Sequence, residues 1–242
     1  MLIDTSFDFR DDTPPGRDPD SHSPTLRTYH RILWSKPLPD GSPFDLVETT
    51  PGVYLHHCSP RGEFFLGSDS AIPTFTREPR LADILRPVPG DGLAAFYRSS
   101  YTIGGMMVFP GNCIGRRMTI NGARGFHPRI KDRFDLTVEC IRRHYVGEGS
   151  PLSGTIERYS DFFALFLDFR GYAEFFLLQD LVSDDGSRVE FFLPFDDFRT
   201  SPLPGSTEAY LSYRRLAMDF IEARNARIRR WAGGDRSDAG FL

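Results

Sequence analysis

Apolar residues recur along this chain at two periods, and each change of period marks an element. Leu26 to Trp34 carry a helical stripe, opened by Pro24 in the first turn, where a missing N–H costs nothing. Ser35-Lys36-Pro37-Leu38-Pro39-Asp40-Gly41 ends it with turn chemistry. Three short aromatic or β-branched runs follow: Phe44–Glu48, Val53–Cys58 and Glu63–Gly67. Each is bounded by Pro or Gly, which predicts an antiparallel meander. Weaker helical patterns surround Leu81–Leu85 and Leu93–Ser99. The continuous apolar run Tyr101–Phe109 predicts a buried strand, with Gly104-Gly105 as a bulge or a close backbone approach.

Past Pro128 the helical period dominates. Ile130, Phe134, Val138, Ile141 and Tyr145 fall at steps of four, four, three and four, one stripe of an amphipathic helix that Gly147 and Gly149 stop. In Ile156–Leu181 eight rings repeat at helical spacing, which predicts two core helices meeting near Arg170-Gly171. The turn Ser183–Ser187 leads into an expected strand, Arg188–Leu193. A last helix runs from Thr207 to about Trp231, with Tyr210, Tyr213, Ala217, Phe220, Ile221, Ile228, Trp231 and the stem of Arg224 on its apolar face. Together these predict an α+β fold: an antiparallel sheet of about five strands packed on a helical, phenylalanine-rich C-terminal half.

Residues 1–24 break this pattern. The first 20 residues hold six aspartates against two arginines, and Pro, Ser and Gly fill much of the rest. They predict an extended acidic arm, residues 25–232 a single domain, and residues 233–242 a frayed tail. Composition adds 22 phenylalanines among 242 residues, so the core is built on phenyl rings. A net charge of −4 gives no general attraction to nucleic acid or anionic membrane. Three scattered cysteines predict no disulfide framework. The N-terminus lacks a basic, apolar leader and no run is long enough to span a bilayer, so no membrane partner is expected and cytoplasm is the default.

Candidate chemistry concentrates in Gly111–Arg133. Residues 112–146 hold eight basic residues against three acidic ones. A glycine-bearing loop leaving a strand, with arginines ahead of a helix, is a sensible anion cradle: backbone N–H groups and a guanidinium would share phosphate oxygens. Arg124 and Asn121 would hold the anion, Arg116 and Arg117 would support them, and Asp132 or Asp135 is the nearest acid or base. The plain alternative is a solvated loop whose arginines pair with nearby aspartates. The glycines match neither nucleotide-binding fingerprint, and no cofactor is implied.

Other marks are weaker. His56, His57 and Cys58 would need ligands from His127, His144 or Cys113 to hold zinc, and no spacing supports that, so no metal is expected. Cys113 sits beside arginines but lacks a base. Asp196-Asp197, Asp184-Asp185 and Asp168 read as turn or cap residues. Trp34-Ser35-Lys36-Pro37-Leu38-Pro39 would dock a nucleobase or partner, or simply pin the chain.

The chain resembles an uncharacterised bacterial family known only as a domain of unknown function. The likeness runs through Leu33–Pro39, Tyr101–Pro110, Thr119–Gly125, Asp132–Tyr145 and Phe191–Phe198 into the last helix. It implies a bacterial, cytoplasmic, stand-alone domain and carries no known chemistry. Where members have Gln, this chain has Gly122, so no role of that side chain carries over. Two readings follow. One is a domain that binds or processes a phosphorylated ligand, a nucleotide or a nucleic-acid end. The other is a protein–protein module, such as half of a defence or toxin–antitoxin pair, whose contacts are the acidic arm and the last helix.

Overall fold

The computed structural model describes residues 3–48, 55–112 and 114–233. Its first finding corrects the expected arm. Ile3 and Phe9 are buried in the core, and the Phe9 N–H donates to the Tyr101 carbonyl at 3.1 Å. The acidic residues serve as caps and partners rather than as a solvated brush. Asp18 caps the short helix α1 (Pro19–His22), and Ser23 caps α2 (Pro24–Trp34) by accepting the Leu26 N–H at 3.1 Å. Asp12 accepts from the Ser23 hydroxyl (2.6 Å) and the Thr25 N–H (2.9 Å), tying the arm to the helix. Arg10 pairs with Asp8 and lies 4.5 Å over the Tyr97 ring.

The architecture is α+β, with antiparallel sheets and a phenylalanine-rich helical C-terminal half. β1 (Lys36–Pro37) and β2 (Pro43–Phe44) form a two-stranded ribbon. β3 (Val47–Glu48), β4 (Leu55–Ser59), β5 (Gly62–Ser70) and β6 (Met106–Pro110) form a second sheet in that order. The single expected strand Phe44–Glu48 is therefore divided. Leu46 turns inward, its N–H donated to Ser35 Oγ (2.9 Å), and the chain passes from one sheet to the other. The next strand begins at Leu55 among the described residues; positions 53 and 54 lie outside them. β5 runs to Ser70, three residues past its expected end at Gly67, because Ser68, Asp69 and Ser70 still pair with Val108, Met107 and Met106.

The run Tyr101–Phe109 also divides. A 3₁₀ turn, Ile103–Gly105, precedes β6, and its glycines are where the last helix approaches. A Cβ on Gly104 would stand 2.7 Å from Asn225 Oδ1, so only glycine fits. The expected strand Arg188–Leu193 shrinks to one bridge, Val182 to Val189.

Helices α3 (Ala82–Leu85) and α4 (Gly90–Ser100) precede β6; α5 (Ile120–Phe126) and α6 (Phe134–Tyr145) follow it. α5 occupies much of the stretch expected as a loop. α6 starts at Phe134, and Ile130, though buried, belongs to the preceding turn. The aromatic segment forms α7 (Ser153–Ile156), α8 (Ser160–Ala164) and α9 (Phe169–Phe175). Its junction falls at Asp168, earlier than expected, because Asp168 caps α9 by accepting the Gly171 N–H at 2.7 Å. Phe176 then packs 5.2 Å from the Trp34 ring.

α10 (Thr207–Ala232) runs along the core with the expected stripe buried except for Trp231 at its end, which is half-buried. Arg224 exceeds the expectation that only its stem would be covered. Its guanidinium is buried too, donating to the carbonyls of Gly104 (3.0 Å), Met106 (2.7 Å) and Phe176 (3.0 Å). Burial pulls it down to about 10. No helix among the described residues is long and apolar enough to cross a membrane.

Candidate functional site

Three elements bring one set of charges together. β5 carries Asp69 one residue before its end, α1 lays Asp20 against that strand, and α5 supplies Arg124. The left-handed residues Lys131 (φ 49°) and Asp132 (φ 65°) complete the set. That backbone is unusual for two consecutive non-glycine residues, and Arg124 explains it. The Asp132 N–H donates to the Arg124 carbonyl at 3.0 Å, while the Asp132 carbonyl accepts from Arg124 Nη2.

Arg124 is fully buried, and its guanidinium makes four hydrogen bonds and a further ion pair. Nε donates to Thr137 Oγ1 (3.1 Å) and Nη2 to the carbonyls of Ala71 (2.6 Å) and Asp132. Nη1 pairs with Asp69 and, at 2.7 Å, with Asp132 Oδ1. This corrects the expected role of Arg124 as the anion holder: its guanidinium is sealed from solvent and engaged within the protein. Its function is to bring two carboxylates to one nitrogen atom.

The carboxylates carry the unusual electrostatics. Burial pushes Asp69 up to about 7, against the pull of Arg124 and with the charge of Asp132 adding to the rise. Burial, with the charge of Asp69 adding to the rise, also raises Asp20 well above the carboxylate range. Asp20 Oδ1 is sealed from solvent without a hydrogen-bond partner. A carboxylate oxygen in that state is costly, and a proton held by the pair removes the cost. Asp69 nevertheless keeps 21 % of its side chain exposed.

Beside the pair lies an open cleft of about 320 Å³, at the lower end of the range for ligand sites. Asp132 and Ser70 line it, as do Tyr101, Thr74, Arg77 and Lys131. Lys131 is paired with Glu78 at 3.2 Å, whereas Arg77 has no ion pair among the described residues. Behind the cluster runs a polar chain. Trp34 Nε1–H donates to His30 Nδ1 (3.0 Å), which leaves the His30 proton on Nε2 for Ser68 Oγ (2.9 Å). Burial drives His30 down to about 3 and keeps it neutral. Asn121 donates to the Ser68 carbonyl at 3.3 Å, and its Oδ1 is a second buried oxygen without a partner.

One family model, that of a family of unknown function, DUF6994, matches residues 3–228. The chain belongs to DUF6994. The match includes nearly the whole expected arm, in keeping with its place in the core. No curated protein and no solved structure matches the chain.

In this DUF6994 chain the other expected site residues go elsewhere. Asp135 is buried against Arg133 and accepts the Phe192 N–H at 2.8 Å, so it is a structural tie rather than an acid or base facing a ligand. Arg116 and Arg117 are exposed, and neither lines the cleft. His57 donates from Nδ1 to the Asp45 carbonyl (3.0 Å) and stacks on Phe44, while His56 pairs with Glu63. Among the described residues no three His, Cys, Asp or Glu side chains converge on a metal position. Cys113 lies outside the described residues. Asp185 and Asp197 accept backbone N–H groups two residues on, as turn residues do. Lys36 lies over three rings, 4.6 Å from Phe175, 5.2 Å from Trp34 and 5.5 Å from Trp231, and burial draws its amine down to about 7.

Asp69 and Asp20 escaped sequence reasoning. The only sign of Asp69 was a polar triplet, Ser68-Asp69-Ser70, continuing a strand that seemed to end at Gly67. Asp20 was one acid among six in a segment read as solvated.

Proposed function

We propose that this DUF6994 chain binds a small phosphorylated ligand in the cleft beside Asp69 and performs general acid–base chemistry on it with the Asp20–Asp69 pair. What carries the reading is the sealed, unpartnered Asp20 Oδ1 together with Asp69, a carboxyl raised to about 7 whose chain neighbour Ser70 and ion-pair neighbour Asp132 line the open cleft. A pair sharing one proton near pH 7 can both give and take a proton, which suits acid–base work. Arg77, with its free guanidinium fork, would hold the phosphate, and Lys131 would support it. The hydroxyls of Ser70, Thr74 and Tyr101 would orient the remainder. Asp132 and Arg124 fix the geometry of the pair and stay out of the binding.

A thermal-shift panel at low salt tests this, using nucleotides, phosphosugars, inorganic phosphate and a 5′-phosphorylated oligonucleotide. A ligand at about 100 times its Kd raises the melting temperature by roughly 5–10 °C for a chain of this size. The expected result is such a shift for one phosphorylated class, lost in Arg77→Ala. A flat panel, or a shift that survives Arg77→Ala, contradicts the reading.

A further inference from the structure

Most of the contacts expected of an interaction module are spent within the fold, although Arg230 stays exposed. The arm is packed, and of the last-helix arginines Arg224 is buried, Arg227 pairs with Asp180 at 2.9 Å and Arg229 donates to Thr5 at 2.6 Å. A different surface is left open. Six large hydrophobic residues are exposed among the described residues, and three of them, Ile114, Met118 and Phe126, fall within thirteen positions. Phe126 is 80 % exposed, Met118 57 % and Ile114 42 %. Leaving such groups in water, when the same chain buries nearly all its other rings, is unfavourable unless something covers them.

The three lie on one turn and the helix that follows it. The Arg117 N–H donates to the Ile114 carbonyl at 3.2 Å, a tight turn that sets Ile114 beside Met118. The Met118 side chain lies over Gly122, within 3.5 Å of where a Cβ there would be. Phe126 follows Gly122 by four residues on α5 and so shares its face. Gly122 leaves a shallow notch between Met118 and Phe126. Arg158 pins this turn from below, donating from Nη2 to the Met118 carbonyl at 2.6 Å.

The rim of the patch is basic. Arg116, Arg117 and Arg129 are exposed, and none has an ion pair among the described residues. In a chain of net charge −4, three exposed guanidinium groups without an ion pair among the described residues, on the same turn and helix end as the apolar residues, mark a surface complementary to acid.

We infer that this face of α5 and the 114–118 turn docks an acidic, amphipathic segment of a partner protein. Its apolar side chains cover Met118, Ile114 and Phe126, and its carboxylates meet Arg116, Arg117 and Arg129. Methionine beside an aromatic ring suits an adaptable protein-binding surface. A nucleic-acid strand fits less well. It needs successive stacking faces along a basic track, and this patch offers one ring and two aliphatic side chains that give nothing to a base or phosphate.

Fluorescence anisotropy with a labelled helical peptide of Leu and Glu, its leucines at i, i+4 spacing, tests the inference on the full chain. The peptide binds, and Phe126→Ser or Arg117→Glu weakens its Kd about tenfold or more. Both side chains are exposed, so circular dichroism and melting temperature stay as in the parent. Arg77→Ala leaves peptide binding unchanged, which separates this surface from the cleft. No binding of the peptide overturns the inference, as does binding indifferent to both substitutions. Preferential binding of a single-stranded oligonucleotide or of anionic vesicles, lost in Phe126→Ser, overturns it in favour of those partners.

Discussion

Arg124 shows how a residue's type can be read rightly and its role wrongly. The sequence marks an arginine in a polar, glycine-bearing stretch, and an arginine there is indeed the hub of the charged cluster. Its burial reverses the role: sealed from solvent, it holds the protein together and organises the carboxylates. Replacing Arg124 with Ala leaves Asp69 and Asp132 facing each other without a cation and frees the Ala71 carbonyl. Breaking a buried pair in this way costs about 3–5 kcal/mol. Urea denaturation should show that loss in Arg124→Ala. A variant as stable as the parent would mean that the cluster tolerates an empty centre. Burial of a given arginine is not written in local sequence, because it depends on α5, β5 and α1 meeting, contacts separated by some 50 to 100 positions.

At the scale of elements, periodicity was a good guide to helices and a poor one to where strands begin and end. α2 and α10 match their predicted spans closely, since a sustained 3.6-residue stripe has few rival explanations. Strands lasted as long as their partners did, and pairing is not visible in one strand alone. β5 outran its apolar pattern because β6 still paired with it, and Arg188–Leu193 failed because only Val189 found a partner. The Gly104-Gly105 pair was legible as a close approach, and the structure supplies what approaches. Asn225 of α10 accepts the Gly104 N–H at 2.8 Å, and Arg224 donates to the Gly104 carbonyl at 3.0 Å. Gly104→Ala forces α10 away from this turn, an overpacking cost of about 1–3 kcal/mol. A thermal melt should register it as a clear loss of stability; an unchanged melting temperature would show that α10 can shift freely.

For the molecule as a whole, the candidate site was half legible. Asn121 and Asp132 belong to its surroundings, whereas Asp69 and Asp20 were invisible because one lay at a strand end and the other in a segment dismissed as an arm. The arm is what seals Asp20 against β5, so fold and site depend on the same packing. The sign of the resulting pH effect is fixed. Asp69 is raised in the folded state, so the stability it contributes is present below the ordinary carboxylate pKa and is lost as pH rises through about 7. His30 acts in the opposite sense. Its folded value is depressed to about 3, so stability falls as pH drops from about 6.5 toward 3. Global unfolding therefore mixes two opposed slopes, and a probe of the carboxyl itself is more direct. That probe is ¹³C NMR titration of the aspartate side-chain carboxyl carbons in the intact protein, with Asp69→Asn as the assignment control. The account predicts one aspartate signal whose midpoint lies near pH 7 and which is absent from the variant. If every aspartate carboxyl has ionised by pH 5, the Asp20–Asp69 pair holds no proton at neutral pH and the proposed acid–base site is wrong.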